Sequence, residues 1–211
     1  MKLGDIKIEA MKLMFVNYNI DFQIEQLEQL AQDENYGSYL VNMPGAINRC
    51  FSSLEEKGVL PVKAYVLKPS EALAGGSFLR FDLGATIKDF FDVERVVYEN
   101  DNGEYVGDYE YRREGNVIVL ANVGEGEYYT VLYKPKLERI TALTDNNADL
   151  PIPDHIASHI PYFIKGDLYR DDEPNEASEA RNWYESAMEA ILETNVNKIN
   201  KVRSVYSQTE M

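Results

Sequence analysis

The chain has 211 residues, of which 45% are hydrophobic and 27% are charged, and its formal net charge is -15. This composition is that of a globular domain, or of a domain with an insertion, and it favours a chain with a packed core over a largely disordered one. The negative charge argues against a general nucleic-acid binder, because phosphate contacts dominate such binding and require a basic surface. No apolar run approaches the roughly 18 residues that span a bilayer, so no membrane partner is expected.

The N-terminal stretch and the single cysteine carry little information on processing. Charges at Asp5, Lys7, Glu9 and Lys12 interrupt the first 15 residues, so no signal peptide is predicted. Cys50 cannot form an internal disulfide because it is the only cysteine. It lies on an apolar helical stripe, which predicts a small buried hydrophobe.

Three helices are predicted before residue 60. Apolar residues recur at helical spacing at Ile6, Ala10, Leu13 and Met14, then at Ile24, Leu27, Leu30 and Ala31, and finally at Leu40, Met43, Ile47, Cys50, Phe51 and Leu54. Gly58 stands where a C-terminal cap is expected. Pro44 either kinks the third helix or occupies its first turn, where no N–H is missed.

The pattern changes from helix to strand between Val62 and about Leu137. Stretches rich in Val, Ile, Tyr and Phe alternate with the turn pairs Gly75-Gly76, Asn102-Gly103 and Gly115-Asn116. Asn102-Gly103 suits a tight hairpin, because both central residues of a type I′ turn need positive φ. Strands at short spacing without helices between them predict an antiparallel sheet or a small sandwich, with one short helix around 84–90.

Helices return after Pro153. Ile156, Ile160, Phe163 and Ile164 share one face of the first, and Pro161 inside it is expected to kink it or to free a carbonyl. The last helix is predicted to begin near Glu176 and to run past Val196, and Ala180, Tyr184, Met188, Ile191 and Leu192 form its apolar side.

The order of helices, sheet and helices predicts the α+β class. We expect residues 1–60 and 138–205 to form one discontinuous helical bundle, residues 61–137 to form an inserted antiparallel sheet or small sandwich, and residues 206–211 to form a C-terminal tail.

The only two histidines, His155 and His159, are four residues apart, a spacing that one helix face can use for zinc. A third ligand and the H-E-x-x-H pattern are both missing, so no metal is predicted. The sequence also lacks a P-loop and a G-x-S-x-G elbow. We therefore predict a protein with no catalytic residues, no cofactor and no enzymatic activity.

Two groups of residues are candidates for protein contacts. Tyrosine combines a large apolar ring with a polar contact, and the later strands carry Tyr109, Tyr111, Tyr128 and Tyr129, which we interpret as interface aromatics or as stacking platforms for sugars. The basic segment, residues 196–206, contains Lys198, Lys201, Arg203 and Tyr206 and no acid. These cations either complement the helix dipole or bind an acidic neighbour or nucleic acid.

The chain resembles the head-to-tail adaptor proteins of tailed bacteriophages, also called connector or head-completion proteins. The resemblance is strongest in LPIPDHIASHIPYFIKGDLYRDDEPNEASEARNWYESAMEAI. This stretch has a Leu-Pro-x-Pro-Asp start at 150–154, an apolar helix at 156–168, an acidic turn at 171–174 and a final helix over 180–191. LGDIKIEAMKLM, LVNMPGAINRCFSSLE and YYTVLYKPKLERIT fit the rest of the pattern, whereas Pro161 and the length of the basic segment depart from it.

The resemblance implies a structural virion protein without catalytic residues. Such a protein binds the portal as a ring of twelve copies, extends the channel for packaged DNA and docks the tail nozzle or tube protein. It is made in the host cytoplasm and resides in the neck at the portal vertex. The basic segment, with Lys198, Lys201, Arg203 and Tyr206, is then expected to contact the portal. The acidic wall of such a ring would repel DNA and let it slide.

Two alternatives belong to other classes of function. The Tyr-rich sheet is compatible with a carbohydrate- or receptor-binding module of a phage tail, and a sugar array would distinguish that module. His155 and His159 are compatible with a metal hydrolase, and the metal content after purification would distinguish that enzyme.

Overall fold

The structure is a computed structural model that describes residues 1–16, 22–73, 78–99, 105–121 and 128–206, the last twelve of these by their backbone only. Its secondary structure is of the α+β class, as the pattern predicts. The helices, in chain order, are α1 (Leu3–Met14), α2 (Leu27–Leu30), α3 (Gly37–Lys57), α4 (Leu83–Thr86), α5 (Asp154–Ala157), α6 (Ile160–Leu168) and α7 (Pro174–Tyr206). The strands are β1 (Lys63–Leu67), β2 (Phe78–Asp82), β3 (Phe90–Glu99), β4 (Tyr105–Asp108), β5 (Tyr111–Glu114), β6 (Val117–Ala121) and β7 (Tyr128–Pro135).

The chain divides into two compact units. The helical unit consists of residues 1–59 and 139–211, and the sandwich unit consists of residues 60–138. The helical unit is therefore assembled from both ends of the sequence, and the sandwich unit is one continuous stretch.

The third predicted helix is α3, and its end is determined by one glycine. Gly58 adopts the left-handed conformation, with φ of 66°, and its N–H donates to the carbonyl oxygens of Leu54 and Glu55. Glycine takes this conformation without a steric penalty, so the helix stops there. Pro44 lies in the second turn of α3 and not in its first, so the interpretation of Pro44 as a first-turn residue is wrong.

The single helix predicted after Pro153 is interrupted. α5 ends at Ala157, and α6 begins at Ile160 with Pro161 in its first turn. A proline at this position has no N–H to donate to the Ala157 carbonyl, but in a first turn it loses no hydrogen bond. The sequence therefore forms two short helices instead of one kinked helix.

α6 is the central helix of the helical unit, because α1, α3 and α7 all pack on it. The ring of Phe163 meets that of Tyr184 on α7 edge to face, with 5.0 Å between centroids. On the other side, the Lys165 ammonium donates to the Leu13 carbonyl, at 2.9 Å, at the end of α1. The second of these contacts joins the two ends of the chain, since Lys165 and Leu13 are 152 positions apart.

The segment that follows the last strand is held by α3 and α1. Asn48 donates to the Ile140 carbonyl oxygen and accepts from the Ile140 N–H, at 2.8 and 2.9 Å. The nearly buried Glu55 carboxylate accepts from Arg139 at 2.6 Å. Further along, the Gly4 N–H donates to the Asn146 carbonyl at 2.7 Å, and an added Cβ at Gly4 would lie only 2.9 Å from that oxygen.

The sandwich unit contains two antiparallel sheets, as the strand pattern predicts. One has the order β1-β7-β3-β4 and the other β2-β6-β5. One hydrophobic cluster joins their inner faces, with Val96 and Val131 from the first sheet and Phe81, Ile118 and Leu120 from the second. The sheets therefore pack as a small sandwich.

The turns of the sandwich unit are only partly described. β5 and β6 are joined by a two-residue turn in which Gly115 has φ of 64°, as expected for the Gly115-Asn116 turn. The Asn102-Gly103 and Gly75-Gly76 turns lie outside the described residues. The predicted short helix is a single turn, α4, capped by the Asp82 carboxylate at the Ala85 N–H, and it ends four residues before Phe90.

Candidate functional site

The two histidines do not share a continuous helix. His155 lies in α5, whereas His159 lies in the break before α6. Burial, and then the charge of His155, lower the pKa of His159. Among the residues that the structure describes, no group of three or more His, Cys, Asp or Glu side chains is placed to hold a metal ion.

Cys50 is buried in the helical unit, as its position on the α3 stripe predicts. Its thiol lies 3.7 Å from the Tyr184 hydroxyl, and burial raises its pKa to about 12. A thiol that stays protonated at neutral pH is a poor nucleophile, so Cys50 fills space in the core.

The tyrosines of the later strands serve mainly the core of the sandwich unit. Tyr129 is only 3% exposed, and its ring packs on Tyr98 and edge-on against Tyr109. Tyr109 donates to the Ala121 carbonyl oxygen, and Tyr111 packs against the same core. Side chains of a strand alternate between the two faces of a sheet, so the spacing of the tyrosines does not indicate which face the second sheet covers. The prediction of Tyr129 as an interface aromatic is wrong, and the Tyr128 side chain lies outside the described atoms.

The outer face of the β2-β6-β5 sheet forms a shallow groove of about 370 Å³. It is lined by Phe78, Arg80, Glu110, Tyr111, Arg112, Val119 and Ala121. Glu114 accepts hydrogen bonds from both Arg80 and Arg112, so the two cations are neutralised within the sheet. The hydrogen bonds from Arg112 and Arg80 lower the pKa of Glu114, although burial acts in the opposite direction. The groove therefore presents a mixed apolar and ion-paired surface.

The outer face of the β1-β7-β3-β4 sheet is largely covered at its centre. Val66, Thr130 and Val97 stand side by side in register. Val66 is 47% exposed, whereas Val97 and Thr130 are buried. Two of these three side chains are therefore already covered, and only Val66 is accessible.

Trp183 is the most prominent exposed aromatic residue of the described helices. It is 62% exposed and its ring stacks on that of Tyr162 of α6, with 6.3 Å between centroids. The next residue, Tyr184, is fully buried. The apolar stripe of Ala180, Tyr184 and Met188 accounts for this difference, because Trp183 lies about 100° away from it around the helix.

The basic segment continues α7 as a helix. Lys198, Lys201, Arg203 and Tyr206 all belong to the helix that ends at Tyr206. Their side chains, and residues 207–211, lie outside the description, so the portal contact assigned to them stays a prediction.

No protein-family model matches this chain, and no curated protein sequence matches it. Within the described part of the chain, every helix is too short or too polar to cross a membrane.

Proposed function

We propose that this chain is a structural head-to-tail adaptor of a tailed bacteriophage. In this proposal the helical unit is the bundle formed by both ends of the chain, and the sandwich unit is its inserted domain. The protein binds the portal as a ring of about twelve copies, extends the DNA channel and docks the tail, without enzymatic chemistry.

The observation that carries the proposal is the arrangement of α6, the acidic turn and α7. Residues 150–191, where the resemblance is most specific, fold as the short helices α5 and α6, an exposed acidic turn at 171–173 and the long helix α7. α6 also gathers α1 and α3 around itself. This arrangement supports a rigid helical stem.

The charge of the chain is compatible with a DNA channel. Each copy carries a formal charge of -15, and a ring multiplies that charge around a central opening. A negative wall repels the DNA backbone, so DNA would pass without binding. The groove on the β2-β6-β5 sheet offers a further surface for a neighbouring copy or for the tail.

The carbohydrate- or receptor-binding alternative has less support. It depends on tyrosines that are exposed together, whereas Tyr129 is buried and Tyr109 and Tyr111 pack against the same core. The metal hydrolase depends on a shared helix face for His155 and His159, which the break before α6 disrupts.

Native mass spectrometry of the protein mixed with the portal encoded beside it tests the proposal. We expect saturation at about one copy per portal subunit, as a closed ring requires. A chain lacking residues 198–211 is expected to lose portal binding, whereas Leu143→Ser, a change at a 95% exposed loop residue, serves as the matched control. An intact portal that binds no folded protein would refute the adaptor function.

A further inference from the structure

Trp183 lies at a shallow pocket on the exposed side of α7. This Trp183 pocket has a volume of about 600 Å³ and is lined by Asn175, Ser178, Glu179, Asn182, Trp183 and Ser186. The lining residues recur at spacings of three and four positions, so they share one side of the helix. All of them are exposed, and the pocket is therefore open to a ligand from outside the chain.

The ring of Trp183 is the aromatic wall of the pocket. It stacks on the ring of Tyr162 of α6, and yet the residue is 62% exposed. The stacking orders the indole from one side, and the exposure leaves much of the ring accessible. Tryptophan is enriched among the dominant contacts of protein interfaces, and its face attracts cations more strongly than that of Tyr or Phe.

Glu179 gives the pocket a negative charge that is not compensated. It stands four residues before Trp183, so the two side chains are neighbours on the helix surface. No ion pair joins Glu179 to any residue whose side chain the structure describes. Two other acids of α7, Glu176 and Glu185, are both held in ion pairs. The carboxylate beside the indole is therefore available to a cation from a partner.

Another side of α7 shows how a ring and a carboxylate hold an arginine in this protein. The Arg181 guanidinium lies over the ring of Phe163, with 4.2 Å between its central carbon and the ring centroid. Its Nε lies 3.5 Å from a carboxylate oxygen of Glu185, four residues further along the helix. The Trp183 pocket offers the corresponding ring and carboxylate, but none of its lining residues is a cation.

We propose that the Trp183 pocket binds an arginine side chain from a basic segment of a partner protein. The guanidinium stacks on the indole of Trp183 and donates to the Glu179 carboxylate. A guanidinium has five N–H donors, so the side-chain oxygens of Asn182 and Ser186 can accept from those that Glu179 leaves. Lysine fits less well, because its ammonium is a compact and strongly hydrated charge that does not stack on a ring.

This inference does not depend on the adaptor function, because it concerns the chemistry of one side chain at one pocket. Its tests contain no portal, so their failure leaves the adaptor function standing. In the same way, a portal that does not bind this protein leaves the pocket and its ligand unaffected.

Fluorescence titration of the full chain tests the proposal, because Trp183 is the only tryptophan. The probe is a blocked hexapeptide of alternating arginine and serine, and two control peptides carry lysine or the uncharged citrulline instead of arginine. We expect a saturable change with a Kd of about 0.1–1 mM at low salt, since exposed contacts of this size bind weakly. The lysine peptide is expected to bind about threefold more weakly. Equal affinity for the arginine and citrulline peptides would overturn the proposal.

A pair of matched variants tests the carboxylate. Glu179→Gln is expected to weaken binding of the arginine peptide about threefold. Glu28→Gln changes the net charge equally at an exposed residue of α2, and this variant is expected to bind like the parent chain. If both variants bind the peptide equally well, Glu179 does not hold the arginine and the proposal is wrong.

The aromatic wall is tested by Trp183→Ala. Binding to this variant is followed by NMR of the peptide, because the fluorophore is lost, and it is expected to be about fivefold weaker or undetectable. Binding at the parental affinity would overturn the proposal. So would a fluorescence of Trp183 that changes with the concentration of the protein alone, because a second copy would then occupy the pocket.

Discussion

In the helical unit, decisive contacts join residues that stand far apart in the sequence, whereas in the sandwich unit the core comes from one continuous stretch. Asn48 and Ile140 are 92 positions apart, but every residue of the sandwich core lies between Leu67 and Tyr133. The helical unit therefore depends on both ends of the chain, and the sandwich unit carries its own core. The difference indicates how each unit responds to truncation and to substitution.

Truncation is expected to have the largest effect. A fragment of residues 60–138 is expected to fold, since it retains its hydrophobic cluster and both sheets. A fragment of residues 1–59 is expected to be unfolded, because α1 and α3 lose α6, on which both pack. Two-dimensional NMR shows whether each fragment folds. A dispersed spectrum from residues 1–59 would contradict the prediction that the helical unit needs both ends of the chain.

Two neighbouring substitutions on α7 are expected to differ sharply. Tyr184→Ala removes a fully buried ring and is expected to lower the free energy of unfolding by about 3–5 kcal/mol. Trp183→Ala, at the adjacent exposed residue, is the matched control and is expected to cost less than about 1 kcal/mol. Urea unfolding followed by circular dichroism measures both, and similar losses would show that Trp183 is part of the core.

Loss of the two hydrogen bonds between Asn48 and Ile140 is expected to have an intermediate effect. Asn48→Ala leaves the N–H and the carbonyl of Ile140 without their side-chain partners, which is expected to cost about 1–3 kcal/mol. Asn42→Ala on the same helix is the control, because the Asn42 side chain bonds only to the Ser38 carbonyl one turn away. If the two variants unfold at the same urea concentration, the hydrogen bonds between Asn48 and Ile140 do not stabilise the helical unit.

The smallest effect is expected at a hydrogen bond of the sandwich unit. Tyr133 donates to Asp89 at 2.9 Å, and burial together with this bond raises the pKa of Tyr133 to about 12. A hydroxyl whose pKa is raised on folding stabilises the folded state fully below pH 10. This stabilisation is lost as the pH rises through about 12. Tyr133→Phe is expected to lower the free energy of unfolding by about 1 kcal/mol at pH 7. It is also expected to reduce the loss of stability at alkaline pH.

The control for Tyr133→Phe is Tyr111→Phe. Among the described residues, the Tyr111 hydroxyl makes no hydrogen bond, so this variant is expected to retain both the stability and the pH dependence of the parent chain. Thermal unfolding measured between pH 7 and pH 12 compares them. An unchanged alkaline profile in Tyr133→Phe would show that the Asp89 bond does not stabilise the folded state.

Local signals in the sequence predicted several elements well. Gly58 predicted the end of α3, and Gly115-Asn116 predicted the turn between β5 and β6, because both depend on a backbone conformation that glycine takes readily. Apolar spacing predicted α1, α3 and α7. Pro161 was interpreted less well, since a proline inside a helical pattern permits a kink or a new start and local sequence does not choose between them.

The candidate surfaces were less predictable than the elements. Strand alternation indicates two faces but not which of them another sheet covers, and this is why Tyr129 was assigned to an interface although it lies in the core. Asn48 has the sequence features of a surface residue on α3, and nothing near it in the sequence indicates its partner Ile140.

The sequence by itself determined the α+β class, the change from helices to strands near Val62, and the acidic charge with its one basic segment. These properties follow from residue spacing and composition, which act over a few neighbours at a time. Only the tertiary structure decided which aromatic residues are covered, where Pro161 divides the helix and how Asn48 holds the returning chain. Such outcomes depend on packing and hydrogen bonds between distant segments, and their energies exceed the local preferences of the residues involved.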